Sequence, residues 1–248
     1  MKRKLATVLT MLIITGLLLC TCSSVVNAKE KAINVPTIAS GIIIPSDEEI
    51  KAYYSSMSSK QKSALERKTK EAFSFSSEKK ASYRSMSTIP GSFTIYPQIN
   101  DNWCGPASVK SILQYINGSS LSQGTYACWM GSDATQGVTT SSLLSCLNAF
   151  QSSYNYDQAW KCNLTKASMK TLLKYTTCSA QVPTCMYIAT YYNWFYNTSS
   201  HCTVVYGVDD SLDMIQIADP YGGYLPTVPQ YYSKSASTCY DVALGITW

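Results

Sequence analysis

The sequence predicts an α+β fold, with a helical N-terminal part followed by an antiparallel β-sheet. Three observations carry this. Beyond residue 90, segments with helical apolar spacing come first. After residue 180, short β-branched runs bounded by turn signals take over. Hydrophobic residues are 46% of the chain and charged residues 14%, which suits an ample core. Helices first and strands later argue for α+β rather than alternating α/β.

The elements follow in order. Met1-Lys2-Arg3-Lys4 is a positive head, Leu5 to Leu19 an apolar run, and "SSVVNA" supplies small residues at Val26 and Ala28. This reads as a signal peptide over 1–28, cleaved after Ala28. The run is short for a membrane span, so no stable span is expected after cleavage. A secreted, extracellular protein of bacterial style is expected.

Residues 29–90 contain no Cys and no Trp. Ser46 with Glu49 three residues on has the pattern of a capping box. Ile50, Tyr53, Tyr54 and Met57 form an amphipathic stripe on one helix running to Phe73. "FSFSSEKKASYRSMSTIPGS" then reads as a linker. The segment 29–90 is therefore a helical and linker region, serving as an intramolecular pro-segment or as a spacer. It carries eleven Lys/Arg against seven Asp/Glu, net +4. The part beyond it carries six Lys against eight Asp/Glu, net −2. Electrostatic docking between them is conceivable but weak and screened by salt. Lys79-Lys80 and Arg84 offer basic cleavage points.

Residues 91–248 form the main domain. "GPASVKSILQYI" reads as a helix with Ala107, Ile112, Leu113 and Ile116 inward. "TTSSLLSCLNAF" reads as a second helix, and "TKASMKTLLKYT" as a third with Thr165 as its cap. "CTVVYGV" and "MIQIADP" read as strands joined by the loop "DDSLD", and "VALGITW" as the last strand. The aromatic run "YIATYYNWFYN" suits core or strand surface better than a binding groove.

Composition narrows function. The domain has no arginine and a negative balance, which disfavours nucleic acid. The mature chain has one histidine and no Cys-x2-Cys, so no metal and no cofactor is expected. Eight cysteines remain after residue 100: Cys104, Cys128, Cys146, Cys162, Cys178, Cys185, Cys202 and Cys239. Export permits disulfides. If Cys104 is a free thiol, the other seven allow three bridges at most.

"YPQINDNWCGPAS" places Cys104 just before a helix, whose N-terminal partial positive charge favours a thiolate. A cysteine nucleophile also needs a base, and His201 is the sole histidine. Asp219 ends the strand after the one His201 opens, so antiparallel pairing brings the two together. An acceptor there would orient the imidazole. Asp209 and Asp210, in the hairpin loop, are rivals for that role. Gln98, six residues ahead of Cys104, could donate to an oxyanion alongside the Cys104 N–H. Each residue alone has a bland reading, as half a disulfide, a structural histidine or a turn aspartate; the four in this order are more specific.

"QINDNWCGPASVKSILQYI", "HCTVVYGVDD" and "IQIADPYGG" together resemble the C39-like cysteine peptidases of the papain-like superfamily. The resemblance implies a papain-like cysteine peptidase fold over 91–248. It also implies Cys104 as nucleophile, His201 as general base and then acid, Asp219 as orienter and Gln98 as oxyanion donor. Peptide or protein is the implied substrate. The best-known members are domains of export transporters that trim leader peptides after Gly-Gly; this chain has a signal and no transporter segments, so that substrate does not carry over. Cys202, beside His201, is a candidate bridge or gate. Two other functions stay open: a non-catalytic secreted binding or adhesion domain of papain-like shape, and a thiol amidase or transferase acting on cell-wall peptides.

Overall fold

The computed structural model describes Thr37 and residues 41–78, 86–190 and 194–248. The expected signal peptide over 1–28 and the basic points Lys79-Lys80 and Arg84 lie outside the described residues. Among those described, no helix is long and apolar enough to cross a membrane.

A two-residue strand, β1 (Ile42–Ile43), comes first. Ser46 then opens helix α1 (Asp47–Ser56) with the reciprocal cap its spacing predicts: Glu49 N donates to Ser46 Oγ at 3.2 Å, and Ser46 N to Glu49 Oε2 at 2.7 Å. The expected single helix breaks after α1, because Met57 turns extended at ψ 131°. Ser58 starts the next helix afresh by accepting from Gln61 N at 3.2 Å. Helix α2 (Ser59–Glu78) runs through Phe73–Glu78, where the sequence suggests a linker. β2 (Met86–Thr88) falls in the same stretch and joins the main sheet through its pairing with Gly207–Asp209. Backbone pairing with a long neighbouring strand overrides a polar local sequence there.

The predicted helices follow. α3 (Cys104–Asn117) ends on Gly118, whose φ of 72° is the left-handed stop that glycine adopts without strain. Ala107, Ile112 and Leu113 are buried as expected. α4 (Gln123–Trp129), which the sequence does not announce, is capped by Ser122. β3 (Val138–Thr139) pairs in parallel with β1, and Thr139 caps α5 (Thr140–Ala149) by accepting from Ser142 N at 3.1 Å. After β4 (Gln158–Trp160), Thr165 caps α6 (Lys166–Lys174) with Ser168 returning the bond.

The rest is mainly strand: β5 (Thr184–Thr190), β6 (Thr198–Asp209), β7 (Met214–Ala218), β8 (Tyr231–Ser235) and β9 (Ala243–Thr247), with α7 (Ala236–Val242) before the last. All main-sheet pairings are antiparallel, in the order β4-β9-β5-β6-β7-β8. β2 continues along the edge of β6 that β5 leaves. Alternation along β5 divides the core: Cys185 and Tyr187 pack with α3 and α5, and Met186 and Ile188 with α6. Helices preceding an antiparallel sheet are the predicted α+β arrangement.

Lys68 on α2 ties the N-terminal helices to the sheet end. Its Nζ donates to Asn155 O at 2.7 Å, Asp157 Oδ2 at 2.8 Å and Trp248 O at 2.5 Å, over the faces of Tyr154 and Trp248. Its side chain is 14% exposed, so truncation strands a poorly solvated carboxylate and two carbonyls. Lys68→Ala is expected to cost about 2–4 kcal/mol in urea unfolding. Amide exchange should quicken first along α2.

Candidate active site

Cys104 is the first residue of α3, not the residue before it, and no side chain caps the helix. Its start is left with backbone donors facing the site. Pro106, in the first turn, lacks only an N–H that the helix would not use. Gly105 is required by close packing. A Cβ there would run into Val138 and come within 3.3 Å of Ile42 Cδ1. Ser108, one turn on, donates to Cys202 O at 3.4 Å and fixes α3 against β6 beside His201.

β6 and β7 bring the other two residues together as antiparallel neighbours. His201 Nε2 lies 2.9 Å from Asp219 Oδ1. Asp219 closes β7 in the turn "DPYGG", which holds it through Asp219 N to Gln230 O at 2.9 Å and Gly222 N to Asp219 O at 2.9 Å. A side chain at Gly222 would strike the Gln230 backbone, so the turn closes only on glycine. Cys104, His201 and Asp219 are each 0% exposed.

Four donors meet the Asp219 carboxylate. His201 Nε2 and Tyr221 N reach Oδ1, both at 2.9 Å; Tyr196 OH at 2.5 Å and Tyr232 OH at 2.7 Å reach Oδ2. Burial alone would raise the Asp219 pKa, but the His201 charge and these bonds hold it below the ordinary value. For His201 burial works toward the neutral ring. The Asp219 and Cys104 charges outweigh it and bring the pKa up to about 9. With Nε2 committed to Asp219, the second ring nitrogen, Nδ1, is buried without an oxygen or nitrogen partner. Cys104 is the remaining group whose charge acts on the ring. Tyr221 stacks on the imidazole at 4.2 Å and 17°, and Tyr196 meets it edge-on at 5.4 Å. The ring is thus clamped in plane as well as by its bond to Asp219.

Gln98 is buried near the nucleophile's loop. Its Nε2 donates to Asn100 O at 2.7 Å and Asp101 O at 3.2 Å, shaping the turn that leads into Cys104. Its Oε1 is buried without a hydrogen-bond partner. Both amide hydrogens are therefore engaged in this state.

The rival aspartates are occupied elsewhere. Asp209 Oδ1 accepts from Ser211 N and Oγ and from Leu212 N, closing the hairpin. Asp210 pairs with Lys170 at 3.1 Å and with Lys174. Cys202 shares the burial of His201, but successive strand residues face opposite sides, and its thiol meets Cys185. Tyr196, Tyr221 and Tyr232 have no signature in the sequence: a tyrosine that supports a carboxylate looks like any core tyrosine until the chain folds. Among the described residues of the aromatic run, Tyr187, Trp194 and Tyr196 are buried.

Because His201 is the sole histidine, its ring signal in an NMR titration is unambiguous. The midpoint should lie at about 9 and fall in Asp219→Asn, where only the Cys104 side still opposes burial. Stability should follow by linkage. The raised His201 value contributes fully below about 6.5 and is lost as pH rises toward about 9. The depressed Asp219 value contributes above about 3.9 and is lost as pH falls further. Denaturation midpoints should plateau between these limits, and Asp219→Asn should remove the alkaline decline.

Comparison with known proteins places the chain in a family. The model of the Peptidase_C39 like family matches residues 91–242. Among solved structures, the chain is similar to the peptidase domain of Streptococcus ComA, described as a bi-functional ABC transporter involved in a quorum sensing pathway. The identity is 18%, over 63% of this chain and 97% of that one, with a TM-score of 0.45. No curated protein matches the chain. The family match spans well over half of the sequence and takes in Gln98, Cys104, His201 and Asp219 alike; the chain belongs to the Peptidase_C39 like family.

Proposed function

We propose that the protein is a secreted cysteine peptidase that hydrolyses peptide bonds through a thioester on Cys104. The observation that carries this is the buried relay from Asp219 through His201 toward the thiol of a residue at an uncapped helix N-terminus. A raised His201 pKa of about 9 keeps the ring protonated at neutral pH, between two groups that can hold negative charge.

In this mechanism the Cys104 sulfur attacks the carbonyl carbon of the scissile bond. The carbonyl oxygen gains the charge and is met by the Cys104 N–H. Gln98 joins by giving up its longer bond to Asp101 O. The tetrahedral adduct collapses, the C–N bond breaks, and His201 passes its proton to the leaving amine. The neutral imidazole then takes a proton from water, whose oxygen attacks the thioester and releases the acid with the thiol. Asp219 keeps its charge throughout and holds the ring by Nε2, leaving Nδ1 for proton transfer.

Hydrolysis of an unfolded protein substrate should fall on the order of 10³-fold or more in Cys104→Ala and His201→Ala, and about 10²- to 10⁴-fold in Asp219→Asn. kcat/KM should decline as pH passes about 9, where His201 loses its proton, and that limb should move to lower pH in Asp219→Asn. A chain that binds peptides but cleaves none, with its variants indistinguishable, would make it a binding domain. Turnover confined to cell-wall peptides would make it an amidase. Export is tested by the N-terminus of protein recovered outside the cell, which should be Lys29.

A further inference from the structure

We infer that residues 41–43, with Thr37, occupy the peptide-binding cleft of this chain and hold the site latent. The inference rests on the peptidase reading above and names its binding site and its control. The segment is paired on both sides. On the helical side, β1 runs parallel to β3, and Val138 N donates to Gly41 O at 3.1 Å. On the sheet side, Gly41 N donates to Ser200 O at 3.3 Å, Ser200 Oγ donates to Ile42 O, and Thr37 bridges Asn197. Ser200 immediately precedes His201, so this edge of the cleft belongs to the site itself.

Gly41 lies on the nucleophile. A Cβ built on it would fall 2.4 Å from the Cys104 sulfur and 3.0 Å from Asn102 O. From the other side, a Cβ on Gly137 would come within 2.5 Å of Gly41 O. Ile42 is 2% exposed and fills the space over Gly105 beside Val138 and Leu143. With the segment in place, neither Cys104 nor His201 has any exposed surface. The cleft thus takes an extended peptide, hydrogen-bonded along both edges, with a residue lacking a side chain over the thiol and an aliphatic residue next to it.

The occupant is held as a ligand, not as a substrate. Attack at Gly41 would require its carbonyl oxygen to face the start of α3, but that oxygen accepts from Val138 N. Both Gln98 amide hydrogens remain on the Asn100 and Asp101 carbonyls. Activity then depends on the fraction of molecules in which the segment has left.

The test uses the full chain with Gly41→Leu, and Gly41→Ala as the milder variant should the first fail to fold. Readouts are the rate of Cys104 alkylation by a small neutral reagent, hydrolysis of an unfolded protein, and intact mass. Both rates should rise about tenfold or more in the variants, as displacement of the segment enlarges the open fraction. A synthetic peptide of residues 34–46 should restore latency to Gly41→Leu, and the same peptide with leucine at position 41 should not. Unchanged alkylation in folded variants would overturn the inference, as would a mass showing the chain cut after Gly41. Faster alkylation without hydrolysis would uphold the cleft and its occupant while removing the peptidase reading. Ready hydrolysis by the wild type, unmoved by either variant, would do the reverse.

Discussion

The Asp219 carboxylate is the constraint on which the site depends. A fully buried charge is costly unless it is paired and its lone pairs are filled. Here His201, the Tyr221 N–H and the hydroxyls of Tyr196 and Tyr232 fill all of them. Each donor comes from a different place: β6, the turn after β7, the approach to β6, and β8. The carboxylate therefore cannot be satisfied unless the sheet is assembled in register. Conversely, the assembled sheet leaves the imidazole one orientation. Folding and preorganisation of the relay are the same event.

The second constraint is closeness at the thiol. Cys104 stands where an uncapped helix start, the β6 edge and the N-terminal strand β1 converge, and glycines make the convergence feasible. Gly105 admits Val138 and Ile42, and Gly41 admits the sulfur. The charge difference between residues 29–90 and the domain adds little to this. β1 is held by backbone hydrogen bonds and by Ile42, and α2 by Lys68 with its three acceptors. Directional bonds and buried aliphatic surface fix geometry in a way that a diffuse, screened attraction does not.

Much of this was legible in the chain. The Ser46 and Thr165 caps, the helix behind Cys104, the hairpin between β6 and β7 and the juxtaposition of His201 with Asp219 follow from local patterns, because caps, helical stripes and hairpins are encoded within a few residues. The failures have a common cause. β2 was hidden because its partner is more than a hundred residues away, and α4 because it is short. The break at Met57 was hidden because a continuous apolar stripe does not reveal a change in ψ. The supporting tyrosines and Gly41 were invisible for the same reason: their roles are contacts with distant residues, and their identities are unremarkable.

Local patterns set the α+β order of elements and mark the residues able to do thiol chemistry, and three short motifs carry the family resemblance, since each rests on a few neighbouring residues. Folding settled that the rivals Asp209 and Asp210 are engaged elsewhere and where the Gln98 amide points. It also decided that Cys202 faces away and that residues near the N-terminus lie across the thiol. Those outcomes depend on which side chains share a buried volume after strands far apart in the chain have paired, and no local pattern carries that information.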